Sequence, residues 1–364
     1  MFIIIPLGRH TESGIAIFIV PERRVGMQFD DSQLDAENAA LIALVETCEK
    51  PDTWSSLTND CIMEGSAIRV LKHKIDPENN PLRESEYVPF TEQGELFRSD
   101  DVASPSEYNS KVKLAWERAV RQVSEWRARG LDLITVFDER FPVRLRAIVD
   151  VPPFLFAKGT VIADDLGVSV VGSRHCSPEG ARFARDVSAM LCGRDVTVIA
   201  GLAEGVDSFA HQEALHNGGR TVAFIGTGIN RCYPASNKGL QHTIEERGLV
   251  LSQFWPDSPP TKHTFPMRNA LMSGYGLATV IVEASERSGT RIQARQAQRH
   301  GRPLIFRDTV MKQTEWAREY KGKPGVFVVH SVEDVSEALD AIHCIDNDVD
   351  QLLNFILEAE VRHI

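Results

Sequence analysis

The sequence predicts an α/β chain: an extended, Rossmann-like, doubly wound and mostly parallel sheet, with a small N-terminal accessory region. Three observations carry this. From residue 131 onward, apolar β-branched runs of four to seven residues alternate with helix-like stretches. These runs lack the in/out alternation of a sheet with one wet face, so they fit strands covered on both sides by crossover helices. At 364 residues the chain is too long for one small domain, and its composition changes near residue 110.

The first apolar runs, FIIIPLG and GIAIFIVP, flank a polar turn with Gly14 and read as a hairpin within residues 1–30. Residues 35–74 read as short helices, AENAALIALVET, TWSSLTNDCIMEG and SAIRVLKHK, with Asp52 and Ser66 as N-caps. Residues 76–108, rich in Pro, Asn, Glu, Ser and Asp, read as a linker or long surface loop. Over 110–129 the residues Val112, Ala115, Trp116, Ala119, Val123 and Trp126 recur at helical spacing and predict an amphipathic helix. Strands are then expected at LDLITVF, VSVVG, VTVIA, TVAFIG, LVLSQ, ATVIVEA, PLIF and VFVVH. Helices are expected near 178–193, 207–217, 236–247, 267–276, 288–300 and 333–342. The expected division is an acidic N-terminal region over 1–110, a Rossmann domain over 111–342 and an acidic helical tail over 343–364.

Composition narrows the function classes. With 43% hydrophobic and 25% charged residues the chain reads as globular. No apolar run reaches the roughly 18 residues of a membrane span, and the N-terminus lacks the basic start of a signal peptide. Six scattered cysteines without CxxC spacing predict neither a disulfide scaffold nor a zinc site, so a cytoplasmic, metal-free protein is expected. The net charge of −11 hides an asymmetry. Residues 1–110 carry a net −11 and 331–364 a net −8, whereas 111–330 carry +8. Seven arginines against two acids fall within 268–307. A positive middle between acidic ends can bind a polyanion locally.

In a doubly wound sheet, ligands sit beyond the carboxyl ends of the strands. The loops there hold Gly172-Ser173-Arg174, then Gly201 and Gly205, then Gly226 and Gly228 with Asn237 and Lys238. Arg268-Asn269 and Ser288-Gly289-Thr290-Arg291 follow, with Arg295 one turn on. Glycines allow close backbone approach, while hydroxyls, guanidiniums and helix N-termini favour phosphate. Asp207 reads as a helix cap that orients His211, and Glu283 as an acid at the pocket edge. VVGSRHCSPEG lacks GxGxxG, so no dinucleotide cofactor is implied.

These segments together resemble the DNA-processing protein A family, also called DprA or Smf. FDERFPVRLRAIVDVPPFLFAKG, VVGSR, GLAEGVDSFAHQEAL, GGRTVAFIGTGINRCYPASN, LVLSQF, FPMRN, VIVEASERSGTRIQARQAQRHGRP and VFVVHSVEDVSEAL follow the family's order and spacing. The resemblance implies an extended Rossmann domain that binds single-stranded DNA without catalysis, forms a homodimer, protects DNA during transformation and helps load the RecA recombinase. Arg174 and Arg268 would clamp phosphates, and Arg291 and Arg295 would extend the groove. Ala235 stands where the family often carries Lys, and Ala270 where Arg commonly follows FPxRN. A second expectation, drawn from the acidic N-terminal region, is a DprA-like regulator or antitoxin that covers a cognate toxin in a phage-defence pair. A third is a nucleotide hydrolase of related fold. Against it, the loop ERSGTRIQA carries Gln293 where those enzymes place their glutamate.

Overall fold

In the computed structural model, the described residues are 2–6, 15–19, 29–48, 53–75 and 105–344. The expected linker over 76–108 lies almost wholly outside them. The expected tail lies outside them beyond residue 344, and Asp52 is outside them as well. The chain divides into two compact units. The smaller holds residues 21–141 and 151–154; the larger holds 1–20, 142–150 and 155–364.

The first two strands, β1 (Phe2–Pro6) and β2 (Ile15–Ile19), pair antiparallel, as the flanking apolar runs predict. The smaller unit begins with α1 (Asp31–Glu46), which opens in a capping box: Asp30 Oδ1 accepts from Gln33 N at 2.8 Å, and Gln33 Oε1 accepts from Asp30 N at 3.2 Å. Then come α2 (Trp54–Glu64) and α3 (Ala67–Ile75). Ser66 caps α3 as predicted, its Oγ accepting from Arg69 N at 3.2 Å. The buried Glu37 carboxylate adds a second cap, accepting from Ser66 Oγ at 2.6 Å and Ala67 N at 2.6 Å. The helix α4 (Pro105–Ala128) buries Val112, Ala115, Ala119, Val123 and Trp126 on one seam and packs on α1.

The strand β3 (Asp132–Thr135), expected in the Rossmann domain, falls instead in this smaller unit together with α4. Its Thr135 Oγ1 donates to Asn38 Oδ1 on α1 at 2.7 Å. The compact units therefore part near Phe141, whereas the composition change lies near residue 110.

The larger unit is the expected α/β sheet. In chain order it holds β4 (Phe154–Gly159), β5 (Gly167–Gly172), α5 (Pro178–Gly193), β6 (Thr197–Ala200), α6 (Val206–His216) and β7 (Thr221–Phe224). Then follow α7 (Lys238–Arg247), β8 (Leu249–Ser252), α8 (Thr264–Tyr275), β9 (Ala278–Glu283) and α9 (Thr290–Arg299). Last come β10 (Leu304–Arg307), the short α10 (Asp308–Gln313) and α11 (Glu315–Arg318), β11 (Val326–Val329) and a helix from 332 to 344. The strand order there is β11-β10-β9-β5-β6-β7-β8-β4. All these neighbours are parallel except β4, which runs antiparallel to β8. β4 is absent from the sequence expectation, because FLFAKG follows Pro152-Pro153 and lacks a strand's alternation.

Successive strand residues point to opposite faces. Val168 and Val170 of β5 join Ala184 and Val187 of α5, Ala210 of α6 and Leu339 of the last helix in one buried cluster. Between them Ser169 points the other way and donates to the Met272 carbonyl of α8 at 2.9 Å. Helices thus cover both faces, and the order runs outward in both directions from the neighbouring β5 and β9. The loops after these strands lie at such a switch point.

Candidate nucleic-acid interface

The loop after β5 is held by backbone. Val206 N donates to Ser173 O at 3.2 Å, so the start of α6 is tied to the Gly172-Ser173-Arg174 turn. Gly205 sits at φ +76°, and a Cβ there would collide with the Ser173 and Arg174 carbonyls. At Gly172 a Cβ would meet Val206 Cγ2 at 2.7 Å. Two of the predicted glycines therefore serve close backbone contact.

Asp207 is fully enclosed. Its Oδ2 accepts from Gly201 N at 2.9 Å and Ala203 N at 3.4 Å, closing the loop after β6 onto the first turn of α6. Burial pushes its carboxyl upward, against the pull of Arg268, those two amides and Arg174. Arg268 was expected to clamp phosphate, and the structure corrects this. It is only 5% exposed, and its Nη1 donates to the Gly201 carbonyl and, at 3.0 Å, to the Phe224 carbonyl. Burial lowers its guanidinium to about 10, with Asp207 opposing and Arg174 adding to the fall. Arg268 stitches the ends of β6 and β7 from α8 and leaves no face for DNA.

Asn237 is likewise buried, donating to Leu202 O at 2.9 Å and Ser208 Oγ at 3.0 Å. Gly228 N donates to Ser258 O at 2.9 Å, in a turn with no room for a side chain. His211, expected beside Asp207, turns away from it: Nδ1 lies 2.7 Å from Thr221 Oγ1, which itself donates to Val198 O at 2.8 Å. Nδ1 therefore carries the proton. Burial, with a contribution from Arg268, lowers this ring to about 3.

Glu283, at the end of β9, accepts from Ser177 N at 3.1 Å and from Ser177 Oγ at 2.5 Å. Ser177 Oγ accepts from Gly180 N at 3.0 Å and so caps α5. The N-terminus of α5, expected to face an anion, is thus already served by the protein's own carboxylate.

What remains open is Arg174. It is exposed, and its guanidinium carbon lies 5.4 Å from the centre of the Phe265 ring. Tyr233, 43% exposed, packs its ring 5.7 Å from that of Phe265. Arg268 approaches the same ring at 6.0 Å, and a Cβ on Gly226 would meet it at 2.9 Å. An exposed guanidinium over an aromatic pair is an arrangement for holding a phosphate beside a stacked base. Phe265 and Tyr233 are absent from the expected site. Each precedes a proline beyond a strand end, Tyr233 in a loop and Phe265 in the first turn of α8, and that repeated aromatic-Pro pattern is the signal that could have found them.

The remaining predicted residues gather elsewhere. Ser288 Oγ donates to Thr290 Oγ1 at 2.8 Å, and the neighbouring Trp316 Nε1 donates to Ser285 O at 3.3 Å. Arg291 and Arg295 are exposed and near enough to Tyr320 to act on its hydroxyl electrostatically. No hydrogen bond among the described residues joins 288–295 to 172–174. Gln293 is 1% exposed and lies in the packed side of α9.

One cluster has the order of a hydrolytic triad. Ser273 Oγ is 3.0 Å from His300 Nδ1, and His300 Nε2 is 3.1 Å from Asp150 Oδ2. Ser273, however, is 1% exposed and donates to the Ala270 carbonyl at 2.9 Å within α8. It has no substrate face. Among the described residues no group of three His, Cys, Asp or Glu could hold a metal, and no helix is long and apolar enough to cross a membrane.

The model of the family described as DNA recombination-mediator protein A matches residues 132–340, more than half of the chain. The chain belongs to that family. The DNA processing protein DprA of Streptococcus pneumoniae is 40% identical over 172 residues, covering 47% of this chain and 61% of the relative. Protein Smf of Escherichia coli is 38% identical over 175 residues, covering 48% of this chain and 47% of the relative. The chain thus spans about half to three fifths of these two DprA/Smf proteins. The crystal structure of the S. pneumoniae DprA aligns at TM-score 0.54 and 31% identity, over 64% of this chain and 85% of that one. The Helicobacter pylori DprA, described for its single-stranded DNA binding mode, aligns at TM-score 0.51 and 23% identity, over 60% and 96%. At that identity the likeness shows the fold.

Proposed function

We propose that the chain is a single-stranded DNA-binding protein of the recombination-mediator type, gripping DNA by Arg174 and the Phe265–Tyr233 pair. The observation that carries the reading is the exposed Arg174 guanidinium stacked on Phe265, on a loop braced by Gly205 and Val206. Arg291 and Arg295 extend the contact along α9. Lys238 supplies a further cation at the start of α7. The acids near the pocket brace the fold: Asp207 binds loop amides and Glu283 holds the α5 cap. That use of the carboxylates supports binding without turnover.

The resemblance supports the finer parts of the reading: RecA loading, protection of incoming DNA, a homodimer and a cytoplasmic setting. Sedimentation at micromolar concentration tests the dimer. The deciding experiment is a titration with single-stranded DNA, duplex DNA and unrelated polyanions at two salt concentrations. Binding that prefers single strands and weakens with a log–log salt slope of roughly −2 to −3.5 fits three to five neutralised phosphates. Absence of binding at low salt overturns the reading. A toxin-covering regulator, motivated by the net −11 of residues 1–110, then becomes the better account.

A further inference from the structure

We infer that Tyr320, with Arg291, Arg295 and Lys323, forms a second phosphate seat, separate from Arg174, for the backbone of a single strand. The inference deepens the DNA reading above and rests on it for the identity of the partner.

The seat is built on a stack of rings. Trp316 of α11 and Tyr320 just after it pack against Phe306 of β10, with ring centres 6.0 and 5.5 Å away. The two also meet edge to face at 6.2 Å. Trp316 is fixed in turn by its bond to the Ser285 carbonyl, beyond the end of β9. The stack leaves Tyr320 only 7% exposed. A phenylalanine would fill that place equally well, so packing does not account for the hydroxyl. It makes no hydrogen bond among the described residues, and it is not one of the enclosed polar atoms. Its O–H therefore reaches solvent from a ring that is otherwise held in place, a donor without an acceptor.

Cations lie around this ring. Lys323 Nζ is 4.7 Å from its centre. Arg291 and Arg295 stand four residues apart on α9 and act electrostatically on the hydroxyl. Like charges at that spacing repel, and α9 contains no acid to offset them. All three cations are exposed, and among the described residues none has a carboxylate within ion-pair distance. Glu319 is the one acid that acts on Tyr320. Burial, then Glu319, push the phenol upward against Arg295 and Arg291, so at neutral pH the hydroxyl keeps its proton and can donate it. A phosphodiester oxygen fits both features: it accepts from the hydroxyl and neutralises the guanidiniums. Position favours a nucleic-acid strand over an acidic peptide. β10, which carries the ring stack, and β5, which leads into Arg174, have only β9 between them, on the order of 10 Å in all. Both seats thus belong to one half of the sheet, within reach of one strand.

The test measures oligo-dT binding to the full chain by fluorescence anisotropy across a salt series. Tyr320→Phe keeps the ring and removes only the hydroxyl. It should weaken binding by about tenfold, as expected for one hydrogen bond to a charged group, with the salt slope unchanged. Its melting temperature should stay within about 2 °C of wild type, because no bond within the protein is lost. Arg291→Ala combined with Arg295→Ala should reduce the magnitude of the salt slope by about 1.4, two contacts at the single-strand coefficient. In an Arg174→Ala background Tyr320→Phe should cost the same factor, since separate seats act additively. Wild-type affinity in Tyr320→Phe, or a wild-type slope in the double arginine variant, overturns the inference. If Arg174→Ala weakens binding in the same series, the DNA reading survives that failure. Weakening in Tyr320→Phe with wild-type binding in Arg174→Ala strikes the grip assigned to Arg174 and leaves this seat standing. No binding of oligo-dT at low salt overturns both. Unchanged DNA binding with loss of poly-glutamate binding in the double arginine variant assigns the surface to an acidic protein and also overturns the inference.

Discussion

The loop after β5 and the first turns of α8 each bring an arginine to the same ring, Phe265, at 5.4 and 6.0 Å. Their environments are opposites. Arg174 is exposed, while Arg268 is buried and its Nη1 donates to the carbonyls of Gly201 and Phe224. Both follow strands, and both stand in segments that match one family. What separates them is where their donors go. A buried guanidinium whose Nη1 ties two carbonyls is a structural tie, whereas an exposed one with free donors is available to a ligand. Positive charge near a strand end therefore identifies a phosphate contact only when the charge is also accessible.

The largest effect that would break or sharpen this contrast is on stability. Arg268→Ala should lose about 3–5 kcal/mol of unfolding free energy, since it leaves Asp207 enclosed and two carbonyls without donors. Arg174→Ala should stay within about 0.5 kcal/mol. Urea denaturation of the two variants measures both. Equal losses would dissolve the distinction.

Binding should invert the order. Arg174→Ala should weaken single-stranded DNA by about 1.5–3 kcal/mol and reduce the magnitude of the salt slope by about 0.7. Fluorescence anisotropy across a salt series reads both quantities. A wild-type slope in this variant would remove Arg174 from the contact. Phe265→Ala should cost about 1–3 kcal/mol in affinity with the salt slope unchanged, the mark of stacking rather than charge. A changed slope would mean that the ring acts only by holding Arg174 in place.

A smaller effect concerns pH. His211 titrates near 3 in the folded protein, below its ordinary value of 6.5. As pH falls below 6.5 the unfolded chain takes up this proton first, so stability is lost progressively from there down to about 3. At pH 5.5 the loss from this one group should be on the order of 1 kcal/mol. Melting temperatures of wild type and His211→Gln across pH 5–8 should converge in slope only if another group is responsible.

Most of the sheet was legible because its strands are short β-branched runs between helices, as in VSVVG and ATVIVEA. β4 was not, because FLFAKG has no periodicity that distinguishes a strand from a buried loop. The glycine and arginine loops of the site were legible from position alone. Their roles were not, since they depend on contacts distant in sequence. The Glu283–Ser177 bond spans 106 residues and the Arg268–Gly201 bond 67. Tyr233 and Phe265 lie in the strand-end segments read as carrying chemistry, yet not in the expected site, because an aromatic residue has the same local signature whether it packs inward or faces a ligand.

The close approach of Gly205 to the carbonyls of Ser173 and Arg174 bears on how fast a ligand can be captured. Two loops joined backbone to backbone have no slack to rearrange when a strand arrives. On the proposed reading these loops already hold the shape that meets a strand, so little ordering entropy is lost on association. Arrival should then be governed by diffusion and by electrostatic attraction to Arg174, without a slow closing step. Observed rates should rise linearly with DNA concentration and show no plateau. Any bulkier residue at position 205 would part the two loops and convert a single-step capture into one that waits for the protein.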